Sequence, residues 1–256
     1  MANTIIIQSK RGFAFDNIVI FGLVFIGWSL VILSVFDMLL RGVADMAGPG
    51  MGVFSHISPI ALSDLFSLTY RFSLCVTDTG VWSIDDFAKS FLMWGAMVLA
   101  MMVPTLISPS GRTPKTFRFT SGYLSIWFVG SLLAVLLQWS LSATDLLNVN
   151  MVSQSSYLNA LILMGVGAFQ LSSLKQKQLA RCQHWDTNFT GWQAGLNCMR
   201  CCGPLMLVMF AFGLMNVIVM ALMTLFILVE RYSKSSTTIV KASGLALIIC
   251  SVISLV

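Results

Sequence analysis

Long apolar runs alternate with shorter polar segments along this chain. Six of the runs can cross a hydrocarbon core about 30 Å thick, which takes roughly 20 helical residues. They occupy residues 18–40, 87–107, 122–141, 157–174, 203–229 and 239–256. Each is continuously apolar, whereas the strands of a membrane barrel alternate apolar and polar positions. The pattern therefore predicts an all-α, polytopic bundle of about six transmembrane helices, forming a single integral membrane domain over residues 1–256.

Composition and charge agree with a membrane location. Hydrophobic residues make up 57% of the chain and charged residues only 10%, against about 25% charged residues in soluble domains. With the N-terminus inside, nine basic residues fall on the inner side and six on the outer, which favours a cytoplasmic N-terminus. Six crossings then place the C-terminus in the cytoplasm as well. The net charge of +5 is explained by anionic lipid beside the basic loops, so the expected partner is the bilayer and no nucleic acid.

A cysteine cluster lies at the inner mouth of the fifth run. Cys198, Cys201 and Cys202 have the spacing of a metal chelate or a redox pair. On the cytosolic side these thiols are expected to stay reduced and available as ligands. Cys182 and His184 lie in the same inner loop and extend the candidate set. A structural or palmitoylated cluster is the alternative interpretation.

Methionines continue the sulfur pattern into the membrane. A helix advances about 100° per residue, so one face of a continuous fifth helix would carry Cys202, Met206, Met209 and Met220, together with Gly213 and Asn216. The second run adds Met97 and Met101 at four-residue spacing. Thioethers are soft ligands, but methionine also fills irregular packing. Both interpretations stay open at this point.

Few residues are available for catalysis. The chain has only two histidines, and it shows no phosphate-binding glycine loop, no Ser-His-Asp arrangement and no intramembrane carboxylate pair. We therefore expect a protein that is not an enzyme. Glu230 is expected at the outer end of the fifth helix, paired with Arg231 or Lys234.

Two motifs resemble those of a bacterial family of predicted metal-binding integral membrane proteins. The first matches the family pattern MWxxMxxAMMxP and comprises Met93-Trp94, Met97, Ala100-Met101-Met102 and Pro104. The second comprises Gly195, Cys198, Cys201-Cys202, Leu205-Met206, Met209-Phe210, Gly213, Met215-Asn216, Met220 and Glu230-Arg231. Between them, Phe169-Gln170-Leu171, Leu174-Lys175 and Cys182 also match, while Gln178 stands where the family often has another Cys. The resemblance implies metal binding in a bacterial cytoplasmic membrane.

Together these observations predict a membrane protein that binds a soft metal ion, copper(I) above all, with zinc as the competitor at the thiols. The predicted metal ligands are Cys198, Cys201, Cys202 and Cys182 at an inner site, and Met97, Met101, Met206, Met209 and Met220 at weaker thioether sites. The function would be transfer, storage or delivery of the metal. The alternatives are a non-catalytic subunit or assembly factor that contacts other membrane subunits, and a thiol redox protein that cycles a Cys198–Cys201 disulfide.

Overall fold

The computed structural model describes residues 2–40, 42, 48–56, 82–107, 117–144, 146–147, 153, 155–183, 189–233 and 235–255. In these ranges the chain forms α1 (Ala2–Leu40), α2 (Ile84–Met101), α3 (Phe117–Ala143), α4 (Ser156–Leu171), α5 (Ser173–Gln183), α6 (Gly191–Met206), α7 (Val208–Phe212), α8 (Val217–Tyr232) and α9 (Ser236–Ile253). Short 3-10 helices cover Met51–His56 and Val103–Leu106.

The predicted all-α architecture is confirmed. Five helical stretches are long and apolar enough to cross a membrane, at Ile18–Leu39, Ile84–Leu106, Phe117–Ala143, Gly191–Phe212 and Ser236–Ile253. The pair formed by α4 and α5 makes a sixth, but it bends by 67° at Ser172. Because of this bend, α4 lies in the bundle while α5 turns across its end.

The predicted fifth helix, 203–229, is not continuous. It begins earlier, at Gly191, where Thr190 and Gln193 form a capping box, and it stops at Phe212. Gly213 then adopts φ 99°, a backbone conformation that glycine reaches without a steric penalty. Asn216 begins the next helix, because its side chain accepts hydrogen bonds from the N–H groups of Ile218 and Val219, both at 3.1 Å.

The break at Gly213–Asn216 reverses the chain, so α6–α7 and α8 form the two arms of a hairpin. The tip of the hairpin meets the segment after α1, where Asn216 Nδ2 donates to the Pro49 carbonyl at 2.9 Å. The far end of α8 lies beside the end of α2, where the Tyr232 hydroxyl donates to the Thr105 carbonyl at 3.0 Å. An apolar run of 27 residues looks like one long crossing, yet a positive-φ glycine and a capping asparagine divide it.

One end of the bundle, called here the thiol end, gathers the last residues of α2 and α8 and the first residues of α3, α6 and α9. Tyr123 of α3 lies 3.2 Å from the Met102 carbonyl, and Gly191 of α6 packs against Phe119 of α3. Helix α9 runs away from the thiol end beside α4, since Ser251 donates to the Ala160 carbonyl at 2.8 Å. The fold thus places the end of α9 at the opposite end of the bundle.

Helix reversal changes the predicted topology. The sequence count of six crossings put both chain termini on one side, whereas the hairpin adds a reversal and directs the end of α9 away from the thiol end. Arg231 and Lys241, assigned by sequence to the outer side, instead lie toward the thiol end, on α8 and near the start of α9. The bias of basic residues toward this end is therefore stronger than the nine-to-six split inferred from six crossings.

We expect an epitope tag before Met1 and a tag after Val256 to lie on opposite sides of the membrane, because the hairpin reverses the chain once more than the apolar runs suggest. Protease protection of the two tags in inside-out and right-side-out vesicles measures this. A tag placed near Lys177 serves as the marker for the thiol end. Two terminal tags cleaved in the same vesicle type would contradict the hairpin.

Candidate metal centre

Four cysteine thiols meet at the thiol end of the bundle. Cys182 comes from α5, while Cys198, Cys201 and Cys202 come from α6. Each thiol interacts with two of the others, in the cyclic order Cys182, Cys198, Cys202, Cys201. All four side chains are at most 4% exposed, and all four cysteines are free. This four-thiol cluster joins α5 to α6 at the thiol end of the bundle.

Local structure explains how the four thiols come together. On α6 the spacings of three and four residues place Cys198, Cys201 and Cys202 on neighbouring positions of one face. The bend at Ser172 directs α5 across that face, and the Ser172 hydroxyl accepts a hydrogen bond from the Lys175 N–H at 3.2 Å. Cys182 then lies over α6. The bend thus supplies a fourth sulfur that the spacing of residues in α6 cannot supply.

A buried ion pair lies beside the cluster. Lys175 Nζ is 2.8 Å from Glu230 Oε2 and donates to the Cys201 carbonyl at 3.0 Å. Gln170 Nε2 donates to the other Glu230 oxygen at 3.3 Å. The two charged side chains are essentially inaccessible to solvent. The structure pairs Glu230 with Lys175 in place of the predicted Arg231, because the hairpin returns the end of α8 to the thiol end. Lys234, the other predicted partner, lies outside the described residues.

Two further polar side chains contact the thiols directly. Arg231 Nη1 donates to Cys182 Sγ at 3.2 Å, and the Tyr123 hydroxyl donates to Cys198 Sγ at 3.2 Å. Neither residue was among the predicted site residues. Arg231 carried a signal in the sequence, since it belongs to the second motif, whereas Tyr123 lies in an apolar run and had none.

The predicted methionine ligands do not form one face. Met206 and Met209 lie before the break at Gly213 and Met220 lies after it, so Met220 belongs to the other arm of the hairpin. All three are buried, as are Met97 and Met101 on α2. The structure brings Met97 and Met206 together on the wall of one cavity. One methionine face requires an unbroken helix, and the break at Gly213 divides it.

The four thiols lie near one another, but proximity alone does not make a metal site. Within the ranges that the structure describes, no three His, Cys, Asp or Glu side chains have the arrangement of a formed metal site. Rotation of the cysteine side chains is therefore needed before three or four sulfurs can share one ion. His184, the remaining sequence candidate, lies outside the described residues.

Comparison with known proteins identifies the family. Residues 91–254 match the family model PpoB2, described as a copper chaperone. The chain belongs to this family. The match runs from within α2 to the end of α9, so it contains the four-thiol cluster and the hairpin. No curated protein and no solved structure matches the chain. The chain is thus a copper-related protein with several helices able to span a membrane.

The ion pair gives a testable stability prediction. Changing Glu230 to Gln leaves Lys175 buried without its counter-charge, which typically costs roughly 3–5 kcal/mol of folding free energy. The double variant Lys175→Met, Glu230→Gln removes both charges, so we expect it to recover a large part of this loss. Equilibrium unfolding in mixed detergent micelles measures both. As a control, Asp85→Asn removes the exposed partner of Lys89 and should cost at most about 1 kcal/mol. Equal stability of the Glu230 and Asp85 variants would contradict this account of the pair.

Proposed function

We propose that this protein binds copper(I) at the four-thiol cluster and delivers it to a partner protein, as the family description suggests. The observation that carries the proposal is the meeting of four reduced cysteines from α5 and α6 in one buried cluster. Cys182 is brought there by a bend of 67° between α4 and α5. A fold that brings scattered thiols near one another provides side chains that can bind a soft ion.

Ligand chemistry favours copper(I) among the candidate metals. Thiolates select soft or borderline ions and discriminate against magnesium and manganese. Four thiolates also suit a tetrahedral zinc ion, so zinc is the competitor. Membership of a copper-related family supports copper. The expected result at this cluster is therefore preferential uptake of copper(I) in reducing buffer.

The surrounding charges suit a site that binds a metal through thiolates. Metal binding displaces thiol protons and so leaves negative charge in a region with little access to solvent. Lys175 and Arg231 place two positive side chains against this cluster, and Glu230 balances one of them. In this proposal the pair of cations stabilises the loaded cluster, while Glu230 holds Lys175 in position when the cluster is empty.

Delivery fits the geometry better than storage. The described cysteines provide one cluster at one end of the bundle, with the remaining described cysteine, Cys250, exposed on α9. A single thiol cluster holds tightly only about one ion and so suits transfer to a partner. Because all four thiols are buried, exchange with that partner requires α5 to move aside. The stronger basic bias at the thiol end supports a cytoplasmic location for the cluster, in a bacterial inner membrane as the sequence motifs imply.

Metal analysis of cysteine variants tests the proposal. The purified wild type, loaded anaerobically with copper(I) against a chromogenic copper(I) chelator, should retain about one tightly bound ion per chain. Cys198→Ser and Cys182→Ser should each weaken this binding at least about tenfold, because each removes a thiolate ligand. Cys250→Ser, at an exposed position on another helix, should bind as the wild type does.

The other functions predict different results. A wild type that takes up neither copper(I) nor zinc would overturn the proposal and favour a subunit role. A protein that isolates with a reversible Cys198–Cys201 disulfide and no metal would favour redox activity. Thermal unfolding of each variant shows whether lost binding reflects lost folding.

A further inference from the structure

A cavity of about 330 Å³ lies between α2, α3 and α6. Its wall contains three thioethers, from Met97, Met199 and Met206, and two indole rings, from Trp94 and Trp127. Met206 follows Cys202 by four residues on the same helix, so the cavity begins about one helical turn from the four-thiol cluster. The three methionines come from two helices that the fold brings together.

The cavity distinguishes these methionines from methionines that only fill a packed core. Methionine in a core usually serves as a flexible filler, because its unbranched chain adapts to irregular gaps. Here three methionines border space that they leave open. A soft cation could use that space, since thioether sulfur is a soft ligand and an indole face attracts cations within about 6 Å of its centroid. Trp94 is well placed for this, because its Nε1 donates to Gln138 Oε1 at 2.9 Å and holds the ring in position.

Gly130 controls where the Met199 thioether lies. A Cβ added at Gly130 would collide with Met199 Cε and would lie 3.1 Å from its Sδ. The absence of a side chain at this position of α3 therefore allows the sulfur of α6 to reach the cavity wall. Because the clash is with the end of a flexible side chain, Ala at Gly130 should displace the thioether at little cost in folding. Alanine is also a better helix former than glycine.

We propose that this cavity is a second copper(I) site, formed by Met97, Met199 and Met206 with the indole faces of Trp94 and Trp127. This proposal rests on the proposed function, because the ion would come from the four-thiol cluster and pass through Met206. Neutral thioethers bind copper(I) more weakly than thiolates do. The four-thiol cluster would therefore fill first, and the cavity would bind the second ion. A weaker site beside a stronger one provides a position from which the metal can leave for a partner.

The cavity has an edge that faces the bilayer. Leu133 is 62% exposed and Leu207 is 38% exposed, and both belong to its wall. With helices that span the membrane, these side chains face lipid. A membrane partner that packs against α3 and α6 would therefore contact the second site directly.

The experiment uses the full-length protein in detergent, titrated anaerobically with copper(I) while tryptophan fluorescence and bound metal are followed. The first equivalent should fill the four-thiol cluster. The second should quench fluorescence from Trp94 and Trp127. Gly130→Ala and Met199→Leu should each weaken the second equivalent at least tenfold and remove its quenching, with the first equivalent unchanged.

Matched controls lie on α4. A Cβ at Gly165 meets no heavy atom within 4 Å, and Met164 is 45% exposed, so Gly165→Ala and Met164→Leu should titrate as the wild type does.

Unchanged second-site binding in both Gly130→Ala and Met199→Leu, with normal thermal stability, would overturn the second site. If Cys198→Ser loses only the first equivalent and keeps the second, the result supports the second site. A wild type that binds no first equivalent would instead refute the proposed function. A lipid that copurifies with the wild type, fills the cavity and blocks the quenching by the second equivalent would also overturn the proposal.

Discussion

The buried pair of Lys175 and Glu230 holds the thiol end of this protein together. It joins α5 to α8, and through the Cys201 carbonyl it also contacts α6. Two charges in a region with little solvent access are costly unless each is paired and hydrogen-bonded, and Gln170 completes the pairing on the Glu230 side. The pair therefore favours one relative position of the three helices. In that position the thiol of Cys182 lies over the thiols of α6.

The pair in turn depends on the reversal of the chain at the hairpin tip. A continuous helix would carry Glu230 and Arg231 to the far end of the bundle, away from Lys175 and the cysteines. The positive φ of Gly213 and the capping side chain of Asn216 end one helix and begin the next. The tip is held from outside the hairpin by the Pro49 carbonyl. A local backbone feature at one end of the bundle thus determines which charged side chains lie beside the thiols at the other end.

The same helices organise sulfur into two chemically different settings. Cysteine thiols collect where cationic side chains can balance the charge of thiolates, while methionine thioethers border a cavity with almost no polar wall. Charged thiolates and neutral thioethers differ in their strength as ligands for soft ions, so the proposed sites would differ in affinity. Glycine at position 130 belongs to the second setting, since it makes room for a thioether from a neighbouring helix.

Much of the fold was available from the sequence. The apolar runs predicted a helical membrane bundle, because hydrocarbon requires each segment to satisfy its own backbone hydrogen bonds. The spacing of Cys198, Cys201 and Cys202 predicted a chelate or a redox pair, and the structure places all three cysteines on α6. Both inferences use only local geometry along one segment. The family match to a copper chaperone agrees with the choice of soft metal.

Only the tertiary structure decided the rest. Hydropathy does not detect a chain reversal inside an apolar run, since Gly213 and Asn216 interrupt the run without adding charge. The position of Glu230 beside Lys175, and the direction of the C-terminal helix relative to the thiols, therefore had to come from the structure. The approach of Cys182, Arg231 and Tyr123 to the cluster depends on contacts between residues far apart in the chain. The single methionine face required a continuous helix, which the structure does not have. Met199 was not among the predicted ligands, because its place beside Met97 depends on how α2, α3 and α6 pack. Periodicity describes one helix at a time, whereas a site built from several helices is fixed by the contacts between them.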